Sequence, residues 1–209
     1  MSVRCIRLLI TLLLSTGLMV GSALAQSATV LVMGDSLSAS YGLSDPDDGW
    51  VSLLSDRLAT QEIDVVNASI SGETTRGGLS RLPDLLERYR PAYVIIALGG
   101  NDGLQGQNIG DIRQRVNRLV ETVYAAEATP ILVGIRIPPN YGPRYTEPFF
   151  NLFHEVAASQ EIDYFLPFML EGVAEDPDLM QRDGIHPTTR AQPIILANIW
   201  SVLPEELTR

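Results

Sequence analysis

The 209-residue sequence predicts a three-layer α/β/α sandwich around a parallel sheet of about five strands. Two observations carry that prediction. Short, continuous runs of Val, Ile and Leu recur along the chain, as strands buried on both faces require. Between them lie segments whose apolar residues repeat at helical spacing. No internal repeat, low-complexity tract or linker interrupts the alternation, so a single domain is expected over residues 26–209.

The elements follow in order. Residues 29–33 (TVLVM) form the first strand, and residues 64–67 (DVVN) a weaker second one. Residues 93–98 (YVIIAL) and 131–135 (ILVGI) are strong strands, and residues 164–168 are a weak fifth. Leu53, Leu54 and Leu58 share one helix face, as do Leu79, Leu82 and Leu86. Ile112, Val116, Leu119 and Val123 mark a third helix, Phe149, Phe150, Phe153 and Val156 a fourth, and residues 194–202 the last. Gly and Pro cluster at 137–148 and at 167–187, which reads as two long surface loops.

The first 25 residues stand outside this scheme. Arg4 and Arg7 precede an apolar run over 8–14, broken only by Thr11. A small, apolar stretch at 17–22 then leads to Ala23-Leu24-Ala25, an A-x-A cleavage signal. This is the layout of a secretory signal peptide, with cleavage expected after Ala25. A membrane anchor is the alternative, but the run is short for a span and no stop-transfer pattern follows. Cleavage would leave 184 residues and take the net charge from −10 to −12, because two Arg and no acid are lost. It would also remove Cys5, the one cysteine, leaving no disulfide, thiol nucleophile or thiolate metal site. The product would be periplasmic or secreted, stabilised by packing alone.

Charge excludes several partners. All 15 basic residues are Arg, against 25 acids. Either genomic base composition or adaptation to high salt accounts for a Lys-free chain. So acidic a chain lacks the basic patch that nucleic acids need, and anionic headgroups would repel it. The expected protein is a monomer with neither nucleic acid nor a stable membrane anchor as partner.

Four short constellations fall beyond strand ends or near the end of the chain. Gly34-Asp35-Ser36-Leu37 follows the first strand. A strand-to-helix turn there would give Ser36 unpaired N–H groups and a positive dipole end, which suits a nucleophile whose attack creates an oxyanion. Ser and Asp are equally at home as ordinary helix caps. Ser71-Gly72-Glu73-Thr74 follows the second strand, and Gly72 could aim its N–H at a ligand or simply make a turn. Gly99-Gly100-Asn101-Asp102 follows the third, where Asn101 offers a neutral amide donor or closes an Asx-turn. Asp183-Gly184-Ile185-His186-Pro187 places a carboxylate three residues before a His, the side chain best suited to take a proton near neutral pH. His186 alone could be a loop residue. The other His, His154, lies in an apolar helical pattern and reads as structural or solvent-facing.

Together the four are more specific than any one. Ligands of open α/β sheets bind beyond the carboxyl ends of the strands, where Ser36, Gly72 and Asn101 all lie. Nucleophile, base, orienting acid and oxyanion donors make the template for acyl transfer.

These blocks, in this order and spacing, resemble those of the SGNH hydrolase (GDSL esterase) superfamily. Residues 67–72, 99–104 and 135–142 are similar to its TesA-like branch of arylesterases, acyl-CoA thioesterases and lysophospholipases. The resemblance spans nearly all of the mature chain. It implies the SGNH hydrolase fold, with a flavodoxin-like parallel sheet, and a serine esterase acting on esters and thioesters through an acyl-serine intermediate. Carried over by position, it makes Ser36 the nucleophile, His186 the base and Asp183 its orienter, with Ser36, Gly72 and Asn101 as oxyanion donors. It requires no metal or organic cofactor.

Leu104, Ile137, Pro138, Pro139 and Tyr141 are candidates for an acyl groove, or they pack beneath their loops. Residues 72–80, with Gly72, Gly77 and Gly78, could act as a lid. A carbohydrate or peptidoglycan O-deacetylase of the same superfamily is the alternative activity, and a non-catalytic secreted binding module the alternative class.

Overall fold

The structure, a computed structural model, describes residues 28–209, so the expected signal peptide lies outside the described residues. Five parallel strands form one sheet: β1 (Thr29–Gly34), β2 (Asp64–Asn67), β3 (Tyr93–Ala97), β4 (Thr129–Val133) and β5 (Tyr164–Leu166). Their order is β2-β1-β3-β4-β5, the flavodoxin-like arrangement. From β1 the chain first moves outward to β2 and then returns across β1 to β3. The crevice at that reversal, between the carboxyl ends of β1 and β3, is the usual ligand site of such sheets.

Alternate strand residues feed two cores. Val30, Val32, Ile95, Ala97, Ile131 and Val133 face α1 (Trp50–Ala59) and α6 (Gln192–Trp200). Leu31, Met33, Val94, Ile96 and Leu132 face α2 (Thr75–Tyr89), α4 (Ile109–Ala125) and α5 (Pro143–Ser159). Burial on both faces is why these strands read as unbroken apolar runs. Two short helices, α3 (Gly100–Leu104) and α7 (Glu205–Thr208), complete the set.

Several boundaries differ from expectation. Strand β4 starts two residues early, at Thr129. Pro130 is tolerated there because only β3 flanks it, through Val94; pairing with β5 begins at Ile131. The strand stops before Gly134, where a Cβ would sit 2.1 Å from the Pro167 carbonyl oxygen. Residues 143–148 are not loop but the start of α5. Gly142 turns the chain at φ 79°, and Pro143 takes the first helical position, where no N–H is needed. Residues 36–42 form successive turns rather than a helix, and α1 begins only at Trp50.

Much of the candidate lid segment, residues 72–80, is helical. Residues 75–80 lie inside α2, capped by the Thr74 hydroxyl on the Gly77 N–H. Glu73 pairs with Arg81 at 2.8 Å, and Arg81 also donates to the Ala68 carbonyl. Thr75 is fully buried, its N–H and hydroxyl both donating to Asp102. Arg115 in turn donates to Thr75, Asp102 and Gln107. This network fastens the start of α2 to α3.

Candidate active site

The Ser36 turn is built from its own backbone. Asp35 carbonyl oxygen accepts from the Ser38 and Ala39 N–H groups, and the Asp35 carboxyl accepts from Leu37 N–H at 3.1 Å. The Trp50 indole N–H and the Asn67 amide hold the Leu37 and Ser38 carbonyls from outside. Gly34 is required before the turn: a Cβ there would lie 2.4 Å from the Ser38 hydroxyl. Backbone curling, rather than a helix end, therefore presents Ser36.

His186 reaches the same point from the other end of the chain. Its Nε2 lies 2.8 Å from Ser36 Oγ, and its Nδ1 lies 2.7 Å from Asp183 Oδ2. The second Asp183 oxygen accepts the N–H groups of Ile185 and His186, which fold the carboxylate back under the ring. Gly184 makes this tight loop at φ 67°. Partial burial pushes the Asp183 carboxyl upward. The His186 N–H, the His186 ring and the Ile185 N–H outweigh that and hold it at about 2. A short antiparallel bridge, Met180 to Pro187, closes the base of the loop. The Tyr41 ring lies against the imidazole, centroids 4.5 Å apart.

Gly72 and Asn101 complete the cluster. Gly72, at φ 81°, has open space where a side chain would be. The Asn101 amide donates to the Glu73 carbonyl at 2.9 Å and to Asp35 Oδ2 at 3.2 Å. Asp35 is 3% exposed, and burial pushes its carboxyl up to about 6, against the pull of the Leu37 N–H and of His186. Sequence reasoning gave Asp35 no role beyond its place in the motif. His154 stands apart, packed edge-on against Phe150 and Phe165.

Ser36, Gly72, Asn101 and His186 open onto one cavity of about 780 Å³. Leu104, Ile137, Pro138 and Pro139 line its wall, as do Phe150, Phe168 and Met180, which sequence reasoning did not assign to the groove. Tyr141 lies outside the lining, its hydroxyl donating to the Leu104 carbonyl. Arg136 is a cation on the wall, its guanidinium 4.2 Å above the Phe150 ring. Such a cavity suits an elongated apolar group with a polar reacting end.

The profile of the GDSL-like lipase/acylhydrolase family matches residues 32–192. Esterase TesA of Pseudomonas aeruginosa is 50% identical over 181 residues, covering 86% of this chain and 89% of that protein. Thioesterase 1/protease 1/lysophospholipase L1 of Escherichia coli is 44% identical over 171 residues, covering 82% and 81%. Among solved structures, the psychrotrophic esterase EstA from Pseudoalteromonas, inhibited by monoethylphosphonate, is 40% identical with a TM-score of 0.80. The match covers 88% of this chain and all of that one.

Proposed function

Because the chain belongs to the GDSL-like lipase/acylhydrolase family, we propose that Ser36, His186 and Asp183 carry out its hydrolysis of carboxylic esters and thioesters. The protein is a serine esterase of that family. The observation that carries the residue assignment is the unbroken chain of short contacts, 2.8 Å from Ser36 to His186 and 2.7 Å from His186 to Asp183.

Ser36 Oγ attacks the carbonyl carbon while His186 Nε2 takes its proton. Asp183 fixes the imidazole by holding Nδ1–H and stabilises the imidazolium as it forms. The N–H groups of Ser36 and Gly72 and the side-chain amide of Asn101 receive the oxyanion, each contributing on the order of 3 kcal/mol. Asn101 would surrender or share its 3.2 Å bond to Asp35, the longer of its two, to do so. His186 then protonates the leaving alcohol or thiol. Water, deprotonated by the same ring, releases the acid from acyl-Ser36.

The substrates are small acyl esters and thioesters, with aryl esters, acyl-CoA and lysophospholipids as the classes to examine. The apolar wall of the cavity favours acyl chains longer than acetyl over the O-deacetylase reading. Among the described residues no helix is long and apolar enough to cross a membrane. The sequence of residues 1–25 supports export with cleavage after Ala25, which would leave the enzyme in the periplasm or outside the cell. Turnover of a p-nitrophenyl ester by Ser36→Ala tests the assignment: the variant should fold normally and be inactive, and retained turnover would refute it.

A further inference from the structure

We propose that Gln181 is a positioning residue that sets the register between the Ser36 loop and the His186 loop. The proposal rests on the catalytic roles given above.

Nucleophile and base are 150 residues apart in sequence and ride on irregular segments. Something must fix one loop relative to the other to within a fraction of an ångström. The single direct bond between the two side chains cannot do this, because it must break and re-form in every cycle.

Gln181 is built as that fastening. Its side-chain nitrogen donates to the Tyr41 carbonyl at 3.0 Å, on the loop that follows Ser36. The same nitrogen donates to the Pro187 carbonyl at 2.9 Å, next to His186. Its backbone N–H donates to the His186 carbonyl at 2.7 Å, and its own carbonyl accepts from Gly184 N–H. The Met180–Pro187 bridge lies immediately beside it. One amide group therefore grips both loops while its backbone braces the turn containing Asp183.

Two carbonyl oxygens flank the amide, so only its NH2 end satisfies the site, which fixes the orientation of the group. A glutamate would bring negative charge against both. Gly42, at φ 74°, makes room: a Cβ there would lie 2.4 Å from Gln181 Oε1. The clamp also holds the backbone of Tyr41, whose ring leans on the imidazole. Loss of the clamp releases His186 from two directions without touching substrate.

The test is Gln181→Met, which keeps the length and removes the donors, read by kcat, KM and melting temperature on a p-nitrophenyl ester. The expected result is a fall in kcat on the order of 10- to 100-fold, with KM within about twofold. The second-order rate of Ser36 phosphonylation by a neutral phosphonate should fall by the same factor. Gly42→Ala crowds the amide from the opposite side and also strains the backbone at φ 74°, so it should lose at least as much. The double variant should be no slower than the worse single one, because both break one device. An unchanged kcat in Gln181→Met overturns the proposal, as does a loss confined to KM. Additive effects in the double variant do so too, including where one single variant is poorly folded. These outcomes are separate from the Ser36→Ala result, on which the catalytic reading itself stands or falls.

Discussion

The Asn101 side-chain amide donates to the buried Asp35 carboxyl at 3.2 Å, joining the residue before the proposed nucleophile to the proposed oxyanion donor across 66 positions of sequence. The same carboxyl accepts the Leu37 N–H, so one buried acid braces both sides of the reacting centre. That arrangement has a thermodynamic signature.

Burial raises Asp35 to about 6 from an ordinary value of 3.8. In the unfolded chain the group ionises near 3.8, while in the folded protein it stays protonated until about 6. Its favourable contribution is therefore fully present below 3.8 and is lost as pH rises through 6, an effect of about 3 kcal/mol. Asp35→Asn cannot ionise. Relative to the parent protein it should gain stability between pH 4 and pH 7, measured as the difference between denaturant unfolding curves across that range. A flat difference would show that Asp35 carries no shifted carboxyl.

Asp183 behaves in the opposite sense. Held at about 2, it stays ionised through the weakly acidic range, so activity lost between pH 7 and pH 4 does not come from its protonation. Its contribution to stability is present above 3.8 and lost as pH falls through about 2. Asp183→Asn keeps the shape but not the charge, and should lower kcat by a factor on the order of 10³–10⁴ at pH 7. Steady-state kinetics at saturating ester check this; a loss of less than tenfold would remove Asp183 from the mechanism.

Asn101→Ala should depress kcat on the order of 10²- to 10³-fold while leaving KM near its original value, because the oxyanion exists only after attack. Raised KM with intact kcat would place Asn101 in ground-state binding instead.

Asp102 directs its fully buried carboxylate at Thr75 and Arg115. Asp102→Ala leaves the Thr75 N–H and hydroxyl without their acceptor and the Arg115 guanidinium without its anion. A loss of about 3 kcal/mol is expected in denaturant unfolding. An effect under about 1 kcal/mol would show that the α2–α3 junction holds without it.

Cavity length should appear in an acyl-chain series. Each buried methylene contributes about 0.8 kcal/mol, or roughly fourfold in kcat/KM, until the chain outgrows the space. Rates that peak at acetyl would favour the O-deacetylase alternative.

The sheet and the site differ in how plainly the sequence announces them. Strands β1 and β3 are legible because burial on both faces leaves nothing but Val, Ile, Leu, Met and Ala in their middles. The site blocks are legible because Gly72, Gly99 and Gly184 mark where the backbone must bend sharply, and Gly34 where it must pass close to a side chain, each near a polar residue. Helix α3, at five residues, is too short to show a period. Gly142 and Pro143 look like a break, yet they start α5. Gln181 has no local signature, because its Tyr41 acceptor lies 140 residues away in sequence and meets it only when the chain folds. The same holds for Thr75, Asp102 and Arg115, whose common purpose is a contact among three helices rather than a motif.

The central claim is most directly tested by trapping the nucleophile. Purified protein is treated with a p-nitrophenyl phosphonate, digested, and the peptides are weighed by mass spectrometry. A single adduct on Ser36, formed in step with loss of esterase activity and absent from His186→Ala, is the predicted result. Inactivation with the adduct on any other residue, or full esterase turnover after Ser36 is completely modified, would contradict it.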